Sequence, residues 1–182
     1  MVTIKIDKKY KIPTSWNDIT CGKFREWLLL DTTGDEIEVY FKKLSFASGV
    51  PVEVLEKCDI FTIESITTAI SFMYEPALLE AFNIYDKEYD SIEVGLMPAK
   101  TILQVQGALT KAKKLIPEEG ITTYLIAGNE IVLAYTGKDI TDEPITQWYG
   151  LMCFFLSKSI AFSINTAFST VTKAQKMKSK RV

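Results

Sequence analysis

The sequence predicts a mainly helical protein carrying one or two short strands, and three observations predict it. Apolar residues recur every three or four positions along much of the chain, as in Ile63, Ile66, Ile70 and Met73, the repeat that lines one side of an α-helix. Gly and Pro punctuate these runs at helical lengths, with Gly49, Pro51, Pro98, Pro117 and Pro144 at their ends or starts. Strand signals, by contrast, are confined to Val2-Thr-Ile-Lys-Ile6 and to Ile92–Leu96.

Taken in order, the alternating, β-branched start reads as a short strand or extended arm that Pro13 ends. Thr14, Ser15, Asn17 and Asp18 offer caps for a first helix over Cys21–Leu30, which carries Phe24, Trp27 and Leu28 at helical spacing. After the turn cluster 31–35, Ile37, Phe41, Leu44 and Phe46 share one side of a helix that Gly49 stops, and Pro51 restarts a short helix over Val52–Lys57. Asp59 or Thr62 caps the next helix, which Pro76 breaks or bends. Residues Asn83–Asp90 read as an exposed connection, Ile92–Leu96 as a second short strand, and Pro98–Leu115 as a helix with Lys111, Lys113 and Lys114 in its last turns, where they complement the dipole. The apolar run Thr122–Tyr135 leans helical, residues 137–144 form a loop, and Pro144 opens a long apolar helix through Trp148, Leu151, Phe154, Phe155 and Phe162.

This layout gives an N-terminal helical half over 1–90, a second over 91–172 and a basic tail over 173–182, packed as one unit. A loose internal echo, Leu44-Ser-Phe-Ala-Ser-Gly49 with Asp59-Ile60 against Val132-Leu-Ala-Tyr-Thr-Gly137 with Asp139-Ile140, admits two similar halves or coincidence.

Composition narrows function. With 21 basic and 23 acidic side chains, net charge −2, the chain has no whole-molecule field to draw it to nucleic acid or an anionic membrane. It contains no histidine and no Cys-x-x-Cys pair, so zinc lacks its commonest ligands and acid–base catalysis lacks its usual carrier near neutral pH. Cys21, Cys58 and Cys153 lie apart within apolar stretches and read as buried free thiols. The stretch Leu151–Val171 approaches the length of a membrane span, about 20 residues, yet places Lys158 and several hydroxyls within it, which argues for a buried helix and no membrane. Acid clusters at Asp35, Glu36 and Glu38 and at Glu118 and Glu119 stand beside turn residues, where carboxylates ordinarily face water. No Gly-rich phosphate loop or nucleophile elbow is present, and neither a catalytic set nor a cofactor is expected.

Aromatic residues are numerous and most are expected in the core. Those left outside would anchor a protein partner, the candidates being Trp148, Phe155, Phe162 and Phe168. The tail residues Lys173, Lys176, Lys178, Lys180 and Arg181 are either a solvated terminus or a contact for nucleic acid phosphates or an acidic protein surface.

The segment Pro13-Thr-Ser-Trp-Asn-Asp-Ile-Thr20 with Gly22-Lys-Phe24, followed by Leu44-Ser-Phe-Ala-Ser-Gly-Val-Pro-Val-Glu-Val-Leu55 and by Ile66–Met73, resembles the opening of small tailed-bacteriophage proteins of virion and tail morphogenesis. Tyr124–Ala127, Pro144–Thr146 and Phe154–Leu156 are similar to that group's second half. Cys21, where a bulkier aliphatic residue is usual, and the basic tail depart from the pattern. The resemblance implies a non-enzymatic, homo-oligomeric component of the particle head, connector or tail, made in the host cytoplasm and partnered by other phage structural proteins, or else a tail assembly chaperone. It also implies a fold-defining turn at Trp16 and Gly22, the Trp packing over the helix entry and the Gly allowing close backbone approach.

Overall fold

In a computed structural model of the chain, the described residues are 1–74, 93, 96–116 and 121–159. Among them the protein is mainly helical, with one two-stranded antiparallel sheet. The start of the chain is indeed a strand, β1 (Val2–Lys5), but its partner is β2 (Lys9–Ile12), reached through a tight turn in which Ile6 N–H bonds Lys8 O at 3.0 Å. The alternation of Lys9-Tyr10-Lys11-Ile12 seats Tyr10 and Ile12 inward and both lysines outward, the period-two division of a half-buried strand. Of the second expected strand, residues 92, 94 and 95 lie outside the described residues, and Leu96 N–H closes a turn onto Glu93 O.

A 3₁₀ turn, Trp16–Asp18, leads into α1 (Cys21–Leu28), where Thr20 caps the helix by accepting from Lys23 N at 3.2 Å. Helix α2 (Glu36–Ser48) is capped by Asp35, which accepts from Glu38 N at 2.8 Å, and closes on Gly49 at φ 74°, a left-handed position glycine adopts without penalty. Pro51 then precedes α3 (Val52–Leu55), and Asp59 caps α4 (Ile60–Ile70) through Thr62 N at 2.9 Å, ahead of a 3₁₀ turn over Ser71–Tyr74. Further on come α5 (Ala99–Leu115), α6 (Ile121–Ile126) and α7 (Gly128–Thr136). Helix α8 occupies residues 145–159 of the described chain. The apolar run 122–135 is helical, but it is two helices broken at Ala127–Gly128.

Two compact units divide the chain. The first holds Met1–Ile84 with Ile140–Gly150, the second Tyr85–Asp139 with Leu151–Val182. In the first, β2 packs against α2 and α4, and Ile12, Leu44, Ile66 and Ile70 are fully buried. Its returning segment is stitched to the start of α1 by backbone bonds, Cys21 N to Glu143 O at 2.9 Å, Gly22 N to Thr141 O at 2.8 Å and Ile145 N to Ile19 O at 2.9 Å. In the second, α5 packs on α6 and α7 through Val105, Ala108 and Ala112. Tyr135 of α7 stacks on Phe155 with ring centroids 4.6 Å apart, and its hydroxyl shares a buried 2.9 Å hydrogen bond with Ser159 Oγ, which in turn donates to Phe155 O.

The internal echo survives only at its glycines. Gly137, at φ 73°, ends α7 as Gly49 ends α2, but Asp59 caps a helix whereas Asp139-Ile140 enters a loop in which Ile140 is buried.

Candidate functional site

The first unit exposes apolar side chains on its helices, and the packing of each helix accounts for them. In α4 the buried stripe is Ile63, Ile66 and Ile70, and Phe61 lies about 200° round the helix from Ile63, so it is left 76% exposed. Ile60, the first residue of the same helix, is 63% exposed. In α2 the buried residues Leu44, Ala47 and Ser48 all belong to the C-terminal half, so the first turn stands clear and Ile37, expected on the core side, is 70% exposed. Beside it lies a cavity of about 440 Å³ lined by Ile37, Phe41 and Val52 together with Asp35, Glu56 and the Glu38–Lys42 ion pair of 2.7 Å. The acid cluster Asp35, Glu36 and Glu38 is thus divided among a helix cap, a solvent-facing position and an ion pair. Glu118 and Glu119 lie outside the described residues.

In the second unit, α5 and α7 flank a cavity of about 640 Å³ lined by Gly107, Ala108, Leu133 and Ala134, with Gln104 and the 3.3 Å pair of Lys111 and Glu130. Leu103 and Leu133 are exposed on these two helices. Leu96, ahead of α5, is exposed as well.

The residues singled out from sequence fall in several places. Trp148 and Phe155 were expected to face a partner, but both are buried, Trp148 in the first unit and Phe155 completely in the second, where it stacks on Tyr135. Phe162, Phe168, Lys173, Lys176, Lys178, Lys180 and Arg181 lie outside the described residues. Trp16 stands over the entry to α1, edge-on to Phe24 at 5.9 Å and to Phe72 at 5.2 Å. Gly22 approaches the returning segment so closely that a Cβ would sit 2.8 Å from Thr141 Cγ2 and 3.0 Å from Thr141 O.

Electrostatics at these positions favour structure over reactivity. Burial pushes the Cys21 thiol up to about 12, helped by the nearby Glu143 carboxylate, so it stays protonated and a poor nucleophile. Cys58 and Cys153 are half-buried, not fully enclosed as expected, and Cys58 donates to Val54 O. Burial also lowers the Lys23 pKa, and its ammonium donates to Ala47 O at 3.3 Å and lies over the Phe46 ring. Among the described residues no group of three or more His, Cys, Asp or Glu is placed to hold a metal ion, and no helix is long and apolar enough to cross a membrane.

Sequence reasoning missed Ile37, Ile60, Phe61 and Leu103. Phe61 was legible, since it stands off the stripe set by Ile63, Ile66 and Ile70. Ile37 and Ile60 were not, because both fit the helical period and are exposed by where the neighbouring elements end. In comparisons with known proteins, no family model, no curated protein and no solved structure matches the chain.

Proposed function

We propose that the chain is a non-enzymatic structural component of a tailed-bacteriophage particle, at its head, connector or tail, which works by contacting other protein chains. The observation that carries the reading is the set of large apolar side chains on the helices of the first unit, Ile37, Ile60 and Phe61, each more than half exposed. Scattered single apolar residues on a surface need no explanation. Three side chains of this size on α2 and α4, two helices that pack on each other, are better explained by burial against another macromolecule. The likeness of Pro13–Thr20 and Leu44–Leu55 to phage morphogenesis proteins supplies the kind of particle.

Mass spectrometry of purified particles is the test. A stoichiometric copy is the expected result. Absence from particles, with co-purification alongside an apolar phage protein from infected cells, rejects the structural role and selects an assembly chaperone.

A further inference from the structure

The N-terminal hairpin has a second face that the core does not use. Cross-strand partners share a face, and the register pairs Thr3 with Lys11 and Lys5 with Lys9 on one side, Val2 with Ile12 and Ile4 with Tyr10 on the other. The Tyr10 and Ile12 side packs against α2 and α4, so Lys5, Lys9 and Lys11 stand together on the side turned away from them, all exposed. Directly opposed like charges such as Lys5 and Lys9 destabilise a strand pair. Among the described residues no ion pair offsets this one, since the pairs they form, Met1–Asp18, Lys42–Glu38 and Lys111–Glu130, involve neither lysine. The one acid in the hairpin, Asp7, is engaged in the turn by the Tyr10 hydroxyl.

The same unit carries the opposite charge elsewhere. Residues 1–12 hold four lysines against one acid, whereas residues 31–64, spanning α2 to α4, hold eight acids against three lysines. All eight acids, Glu36, Glu53 and Glu56 among them, are exposed. Charge is therefore sorted within the first unit into a basic sheet face and an acidic helical surface. The hairpin cannot satisfy that surface in its own molecule, because the side it turns to α2 and α4 is its apolar one.

We propose that copies of this chain associate head to tail, the Lys5, Lys9 and Lys11 face of one copy seating on the acidic α2 to α4 surface of the next. A contact between two different patches of one protein is heterologous and propagates into a ring or an open filament. The inference draws on the reading of the chain as a protein-contacting component and adds that one of its partners is itself. Nucleic acid is the rival occupant of a lysine face. The chain's excess of acids, with sequence pI 5.3, and its own complementary surface favour a second copy.

The test uses the purified full-length chain in sedimentation velocity, which is read independently of whether particles contain it. Wild type should associate at low ionic strength and dissociate near 1 M salt, where the Debye length falls to about 3 Å. Two triple variants, Lys5→Glu/Lys9→Glu/Lys11→Glu and Glu36→Lys/Glu53→Lys/Glu56→Lys, should each self-associate about tenfold more weakly or worse. Mixed, they should associate into alternating assemblies, because the native lysine hairpin of one variant meets the native acidic surface of the other and the two reversed patches also complement each other. Circular dichroism confirms that both variants fold, and Lys→Gln at the three hairpin positions replaces the reversed set if it does not. A wild-type chain that stays monomeric at low salt, association unchanged in both variants, failure of the folded mixture to pair, or a monomer that retains DNA through these lysines would each overturn the proposal.

Discussion

At the residue scale the tightest position is Gly22. Its missing Cβ leaves room for the Thr141 backbone, and one of the two atoms in the way is a carbonyl oxygen that cannot rotate aside. Gly22→Ala should therefore cost about 1–3 kcal/mol, read as a lowered urea midpoint, and Thr141→Ser should recover only part of the loss because it removes the methyl and leaves the oxygen. Acidic side chains give a second prediction. The N-terminal ammonium donates to Asp18 at 2.8 Å and holds its carboxyl below the usual range, Thr33 does the same for Asp31 chiefly through its hydroxyl, and the Thr62 backbone amide for Asp59. A carboxylate whose folded pKa is depressed contributes stability that is complete above its unfolded value, about 3.9, and lost as pH falls through the folded one. Denaturation midpoints should fall below about pH 4, and Asp18→Asn should flatten that acid limb. Trp16 and Gly22 were marked only through the resemblance; in the structure Trp16 lies edge-on to Phe24 and Phe72, and Gly22 lies against Thr141. The burial of Trp148 and Phe155 was not legible, because an aromatic's identity does not tell which side of α8 faces inward.

At the element scale, helix ends were the most readable feature. Asp35 and Asp59 accept from the amides three residues on, and Gly49 and Gly137 close their helices in the left-handed conformation. Thr20 plays the same part for α1, although the sequence offered Thr14, Ser15, Asn17 and Asp18 first. Those earlier residues instead build the turn before the helix, where Thr14 N–H and its hydroxyl both donate to Asp18. Thr20→Ala should cost about 1 kcal/mol, seen as a lower denaturant midpoint with an unchanged slope, because the backbone bonds of α1 to residues 141 and 143 remain. Two features escaped the sequence reading for local reasons. The return strand Lys9–Ile12 holds two lysines in four residues and looks polar until its inward partners are counted. The break at Ala127–Gly128 carries no proline; the glycine is there because a Cβ would overlap the methyl of Met152.

At the scale of the whole molecule, chain order and packing order part company. Residues 140–150 return to the first unit after the chain has built most of the second, and Ile140 and Ile145 are wholly buried there. Periodicity reports which face of a helix is apolar, not which distant element covers it, so a return of this kind leaves no mark in a single sequence. Charge sorting was equally hidden in the near-neutral total and emerges only when the hairpin register gathers Lys5, Lys9 and Lys11. The proposed function requires that the exposed helical surface of the first unit be covered by other protein chains. A photo-crosslinking amino acid at position 61, the aromatic of α4 and 76% exposed, tests it in the particles proposed to contain the chain, with mass spectrometry of the adducts. Crosslinks to a protein chain, a neighbouring copy included, are expected at a yield well above that of the same probe at the exposed Lys100 of the second unit. Equal, background yields at both positions would contradict the proposed function.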